Sequence, residues 1–375
     1  MLFYNAFAKL KNLLLILNSQ VNEVMNDFSK EKRIFLTSSF KILIEKLWPD
    51  DMRSKESSQR HFSPTELIQK IDDMSPLLKN NNSNNVEDFI NFIIITLHEE
   101  LNQKLNSNNA NPFFTDNMNN NDNFLNSFNI FYKEYEQNFH SKISELFYAI
   151  QQTKIQCLNC GNNQYNFQAF FLLSFPLEDI KKYLINKNSD EGINNLNKNL
   201  NKENNGSINI IKDLKNENPI KLDKLNKNII DILDCFEYNQ KMIILKDEDR
   251  IFCNFCNKNE DTGYSSSFVT LPKILILIMD RGKDLKSDIK LEFDLIINLK
   301  EYTIQKNRDI KYTLISVLNY KKENEDDINW VAHCLSPIDN QWYTYCDSKV
   351  NKISNLHKEF FDSGMTYLLF YKRIE

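Results

Sequence analysis

Two Cys-x-x-Cys pairs are the residues best spaced to do chemistry: Cys157-Leu158-Asn159-Cys160 in the middle of the chain and Cys253-Asn254-Phe255-Cys256 well downstream. One such tight bend presents two thiolates from a single turn. Two bends complete the tetrahedral four-sulfur shell that zinc(II) prefers, at about 2.3 Å per bond. Gly161, directly after the first pair, suits the bend. Four cysteines are also compatible with burial as small apolar side chains or with a redox couple, but two separate pairs favour the metal. A shell of four thiolates leaves no open position, so the zinc expected here is structural and not catalytic. The chain holds seven cysteines. An odd count beside free metal ligands fits a reducing compartment, and a cytoplasmic or nuclear location is expected. Of the other side chains able to do chemistry, His61, His98, His140 and His357 are scattered without metal-ligand spacing and are expected on surfaces or helix faces.

Composition narrows the function. With 46 basic against 51 acidic residues the formal charge is −5, so no polyanion-binding face is expected and nucleic acid is not a predicted partner. The six glycines include no GxGxxG or GxxxxGK phosphate loop, which excludes nucleotide-binding enzymes of those types. No apolar run approaches the roughly 18 to 20 residues that span a bilayer, and no membrane association is expected. The start, Met1 to Leu17, mimics a secretory signal in its Lys9, Lys11 and Leu13 to Leu17 run, but the run is brief and lacks a small-x-small cleavage site. Phe7, Leu10, Leu14, Leu17 and Val21 instead share one face of an amphipathic helix.

The elements that must position the cysteines follow from periodicity. Helices are predicted over Ile34 to Trp48, ending at Pro49; from Ser63 as N-cap and Pro64 at the first helical position to Ile71; over Val86 to Leu101, with Glu87 and Asp88 in the dipole-favoured first turn; and over Ser141 to Ile150. A sheet is predicted to begin where Tyr165, Phe167, Ala169 and Phe171 alternate, continuing through Leu172 to Leu177, and Ile229 to Phe236 reads as a short helix. Strand signals follow at Ser267 to Leu271, Ile274 to Met279, Phe293 to Leu299, Tyr312 to Tyr320, Trp330 to Leu335, Trp342 to Cys346 and Met365 to Tyr371. The 54 asparagines concentrate in tracts that bury little. Residues 102–127 and the Asn/Lys-rich 186–226 therefore read as insertions.

Several segments together resemble the ubiquitin-specific protease family of deubiquitinases. They are "NNVEDFINFIIITLHEELN" (Asn84 to Asn102), "ISELFYAIQQTKIQCLNC" ending at Cys160, the second CxxC before "LPKILILIMDRG" (Leu271 to Gly282), "WVAHCLSPIDNQWYTYCDSKV" (Trp330 to Val350) and the closing "MTYLLFYKR" (Met365 to Arg373). The resemblance implies an α+β, papain-like cysteine protease fold shaped as a right hand: helical thumb, mixed palm, and β-strand fingers tipped by zinc. It implies one such domain over residues 1–375, with 1–150 as thumb and 151–375 as palm and fingers. Ubiquitin or a ubiquitinated protein is the implied partner, and a place in a larger complex is left open.

The family's chemistry is a Cys-His-Asp or Cys-His-Asn triad in which a thiolate attacks the carbonyl at ubiquitin's C-terminal glycine. The nucleophile motif, Asn-x-x-x-x-Cys-x-x-Asn, falls on "LFYNAFAKLKNLLLIL" with Leu2 at the cysteine position, and no cysteine precedes Cys157. The His box, Gly-His-Tyr-x-Ala, falls on Ile328 to Ala332, so Asn329 stands where the general base belongs. Asparagine cannot take a proton near neutral pH. His333 lies four residues further along the strand, about 13 Å away and too far to replace it. The third triad position is Cys346, with Asp347 following. Neither Cys334 nor Cys346 has a base supplied by the motif. A gene start inside the Cys box would explain Leu2 but not Asn329. The expectation is a catalytically inactive pseudo-deubiquitinase, with two alternatives: an active ubiquitinyl hydrolase whose nucleophile segment is missing, and a scaffold without ubiquitin affinity. The acidic stretch Glu323 to Asp327 reads as a solvated hairpin loop.

Overall fold

The computed structural model describes residues 36–47, 65–76, 86–102, 122–187, 223–306, 308–324, 327–336, 339–346, 349–362 and 364–374. Leu2, Asp347 and the Phe7 to Val21 helix lie outside them, as does most of both Asn-rich insertions.

An eight-stranded sheet forms the palm. Its order is β15-β14-β13-β12-β16-β9-β3, with β11 also pairing β12. The strands are β3 (Leu173–Pro176), β9 (Ile274–Asp280), β11 (Ile296–Asn298), β12 (Lys311–Asn324), β13 (Asp327–Leu335), β14 (Trp342–Cys346), β15 (Lys349–Lys352) and β16 (Met365–Arg373). The β9 sequence ILILIMD reads as a continuous apolar run because both faces of the sheet are covered. Ile274, Ile276 and Ile278 join one core with helices α1 (Leu36–Leu47), α2 (Thr65–Met74), α3 (Val86–Leu101) and α5 (Lys142–Phe147). Leu275, Leu277 and Met279 join a second core on the opposite face. A helix at 177–187 (α6), α7 (Ile232–Asn239) and α8 (Leu356–Asp362) cover that second core.

Polar groups lock these layers. The Glu100 carboxylate on α3 accepts from the backbone N–H groups of Leu36 and Thr37 at 3.0 and 2.7 Å, capping the N-terminus of α1 where the helix dipole favours negative charge. Arg281, 1% exposed, follows β9 and donates to the carbonyls of Thr366, Ser287 and Ile289. Those four bonds tie β9 to the start of β16 and to the loop before β10 (Lys290–Glu292). At Gly364, φ +138°, an added Cβ would sit 2.3 Å from the Tyr320 carbonyl oxygen, so β12 and the turn before β16 close on each other only at a glycine.

The fingers are a four-stranded sheet in the order β2-β1-β8-β5, with β1 (Ala149–Cys157), β2 (Asn163–Phe170), β5 (Ile243–Leu245) and β8 (Thr262–Phe268). The hairpin of β6 (Ile251–Cys253) and β7 (Lys258–Glu260) stands at their tip.

The structure departs from the sequence reading in several places. The helix expected to reach Ile150 stops at Phe147 and the sheet begins at Ala149, ahead of Tyr165. The central strand β1 carries Gln151, Gln152, Thr153 and Lys154, and its pairing on both edges with β2 and β8 outweighs that weak apolar pattern. The 102–127 insertion ends sooner than expected, because α4 (Asp122–Asn138) places Phe124 and Phe128 on Phe167 of β2 at ring distances of 5.4 and 5.2 Å. The 186–226 insertion likewise loses its ends to helical residues up to 187 and from 223, where Leu225 is buried. Ile229 to Phe236 divides into a strand β4 (Ile229–Asp231), parallel to β10, and α7, with Asp231 capping the helix through the Leu233 N–H. The strand signal at Ser267 to Leu271 marks the end of β8, and Phe293 to Leu299 contracts to β11. Neither α8 nor β15 was anticipated. Of the two places expected for the scattered histidines, His98 takes a helix face and not the surface: on α3 it is 6% exposed, stacked on Phe139 and hydrogen bonded to Ser141 Oγ at 2.7 Å.

Candidate functional site

The two cysteine pairs meet at the finger tip. Strand β1 ends on Cys157 and β6 ends on Cys253, so each knuckle begins where a strand runs out. Each then closes in the same way. Gly161 N–H donates to the Cys157 carbonyl at 2.9 Å, and Asn257 N–H to the Cys253 carbonyl at 2.8 Å. The residue after each pair takes positive φ, +74° at Gly161 and +53° at Asn257. Asparagine tolerates this region better than other side chains, and Asn257 is the counterpart of Gly161 that sequence reading passed over.

All four sulfurs lie within 4.8 Å of one another. Cys157 and Cys256 approach to 3.8 Å, Cys160 and Cys253 to 3.6 Å. A tetrahedron with about 2.3 Å bonds has sulfur–sulfur edges of about 3.8 Å, so the donor set fits zinc in number, type and spacing. With no metal bound, the four thiols compete for the charge: the Cys253 thiol is drawn down to about 7, first by the Cys256 backbone N–H, while burial pushes the Cys256 thiol up to about 12. Bound here, zinc supplies a crosslink between the β1–β2 turn and the β6–β7 hairpin and no catalysis, since the four thiolates fill its shell.

The palm strand β13 presents a different picture. Asn329 is half-buried and sits opposite Lys321 of β12. Its neighbour Trp330 packs on Tyr320 and Tyr367 at ring distances of 5.7 and 5.4 Å. His333 is fully buried, stacked near Phe360 and paired with Thr344 Oγ1 at 3.0 Å. Burial pushes its pKa down to about 4. It is therefore a weak base enclosed in the second core. Cys334 is likewise buried, against Ser316 Oγ at 3.3 Å. Cys346 is half-exposed at the end of β14, opposite Lys349. The β13–β14 ladder runs from Leu335 and Trp342 to Ala332 and Tyr345, so Cys346 lies one residue beyond its end and Asn329 three residues beyond Ala332. The structure thus brings together the four metal ligands and leaves Asn329 and Cys346 outside the stretch that pairs β13 with β14.

Comparison with known proteins agrees with this architecture. The profile of the ubiquitin carboxyl-terminal hydrolase family matches residues 3–371, and the chain belongs to that family, in its ubiquitin-specific protease class. It is 23% identical to ubiquitin carboxyl-terminal hydrolase 2 of Gallus gallus over 91% of this chain and 80% of the relative. Against the Homo sapiens protein of the same name it is 21% identical over 90% of this chain and 47% of the relative. The chain thus spans about half the length of that human protein. Among solved structures it resembles the SAGA Ubp8/Sgf11/Sus1/Sgf73 DUB module bound to ubiquitin aldehyde, with a TM-score of 0.63, 16% identity, and coverage of 100% of this chain and 67% of that one. No helix among the described residues is long and apolar enough to cross a membrane.

Proposed function

We propose that this chain is a pseudo-deubiquitinase: it binds ubiquitin or a ubiquitinated protein through the family's hand and does not cleave. The observation that carries the reading is Asn329 at the general-base position of β13. An amide neither accepts nor delivers a proton at neutral pH, so the step that activates a thiol and protonates the leaving amine has no agent. The nearest imidazole on the strand is buried, paired to Thr344, and of pKa about 4. Leu2 at the nucleophile position has no lone pair. By contrast the zinc knuckles and both cores are kept, as retention of a binding scaffold requires.

The test is reaction of the full chain with a ubiquitin derivative carrying a C-terminal electrophile, read beside ubiquitin binding by calorimetry. Saturable binding without an adduct is expected. An adduct abolished by thiol alkylation would overturn the proposal and restore an active cysteine hydrolase. No binding up to millimolar ubiquitin would overturn it in favour of a scaffold that acts without ubiquitin.

A further inference from the structure

The donors that reach the four thiolates are of two kinds. Backbone N–H groups of Cys256 and Phe255 serve Cys253, and that of Asn162 serves Cys160, as the tight turns of the knuckles dictate. Cys256 takes a side-chain donor from the opposite knuckle: Asn159 Nδ2 lies 3.6 Å from its Sγ. A primary amide carries two N–H groups. The second donates to Glu260 Oε1 at 2.7 Å. Glu260 in turn accepts from Lys258 Nζ at 2.9 Å, and its side chain is only 15% exposed against 64% for the lysine. Lys258 first, and then Asn159, hold the Glu260 carboxyl below the usual carboxylate range.

We infer that Asn159 is a positioning residue of the metal centre, held by Glu260 and Lys258 so that its amide fixes the Cys256 thiolate and ties the first knuckle to the second. The physical need is clear. Zinc with four thiolates bears a net double negative charge, and an N–H aimed at sulfur offsets part of it while fixing the direction of the sulfur lone pairs. Backbone geometry supplies such donors within a knuckle. Only a side chain of suitable length reaches across from Cys160's turn to Cys256. Asn159 occupies the third place of its CxxC, whereas the corresponding place of the second pair is Phe255, 72% exposed and without an N–H on its side chain. The tie therefore runs one way, from the first knuckle to the second.

The experiment is zinc competition between the full chain and a chromophoric chelator, with cobalt(II) substitution as the second readout. Asn159→Ala is expected to weaken zinc retention about 10- to 100-fold, the usual range for loss of an outer-shell partner. Asn159→Asp should weaken it further, because a carboxylate offers the thiolate an acceptor and a negative charge. In the cobalt form, Asn159→Ala should shift the thiolate-to-metal charge-transfer band, which a role in packing alone would leave in place. Glu260→Gln, which keeps the shape but frees the Asn159 amide from its anchor, should cost several-fold and carries the test should Asn159→Ala fail to fold. Zinc retention within about twofold of wild type in the folded variants, with an unmoved cobalt spectrum, would overturn the inference.

Discussion

The finger tip and the palm strand β13 both carry polar side chains, and the two regions hold them in different ways. At the tip the metal site is complete in its parts: four sulfurs at metal-ligand spacing, two matched turns, and an amide and carboxylate behind them. On β13 the strand pairs on both edges and packs through Trp330, Ala332 and Cys334 into the thumb-side core, while Asn329, which the proposed reading sets at the general-base position, is only half-buried. The lesson is that a residue folded into stability and a residue used only for chemistry are separable. Losing a thiolate at the tip leaves charge and backbone unsatisfied. Replacing an imidazole by an amide on a half-buried strand leaves the sheet intact.

That contrast can be broken or sharpened by substitution. The largest effect is expected at the tip. Zinc bound to isolated finger peptides carries on the order of 10 kcal/mol of apparent folding free energy. Cys253→Ser should therefore leave the purified chain deficient in zinc by elemental analysis and lower its unfolding temperature more than any palm substitution below. A variant that keeps full zinc and unchanged melting would erase the distinction.

Next comes the palm's own structural anchor. Arg281→Met removes the donor from three buried carbonyls and should cost about 3 kcal/mol in denaturant unfolding, since each orphaned acceptor costs about 1–3 kcal/mol. Gly364→Ala should cost about 2 kcal/mol, because a Cβ would meet the Tyr320 carbonyl at 2.3 Å and the backbone is held at φ +138°.

His333 is the palm's acid sensor. Its folded pKa of about 4 lies below the unfolded value of about 6.5. Above pH 6.5 both states are neutral and the stabilisation is complete. As pH falls from 6.5 towards 4 the unfolded chain takes up a proton that the folded chain refuses, so stability drops, by about 2 kcal/mol at pH 5. His333→Phe should flatten this part of the stability–pH curve. Burial depresses His98 too and acts in the same direction, so some slope remains. A variant as acid-sensitive as wild type would show that the buried imidazole is not the sensor.

The smallest effect is expected at the triad position. Asn329→His should change stability by no more than about 0.5 kcal/mol, as a half-exposed strand substitution away from special features. Under the proposed reading, which sets Leu2 at the nucleophile position, it should also release no fluorophore from a ubiquitin C-terminal amide. Hydrolysis appearing on this single change would show that a nucleophile is present and that the amide alone silences it.

The amino-acid sequence by itself determined the metal ligands, the thumb helices α1 and α3, and the strands β9, β13, β14 and β16. These are encoded locally, in cysteine spacing, in 3.6-residue periodicity, and in apolar runs long enough to show. It also determined the absence of histidine at position 329, which no packing can remedy. Tertiary structure alone decided that Gln151 to Lys154 form a central strand, because ladders on both edges stabilise a sequence with little strand preference. It decided that Asp122 to Asn138 fold as a helix, since their aromatic rings gain an apolar face only when β2 lies beneath them. And it set Asn159 and Glu260, 101 positions apart, within hydrogen-bond reach, because the β1–β8 ladder and the converging cysteine turns bring these distant segments together.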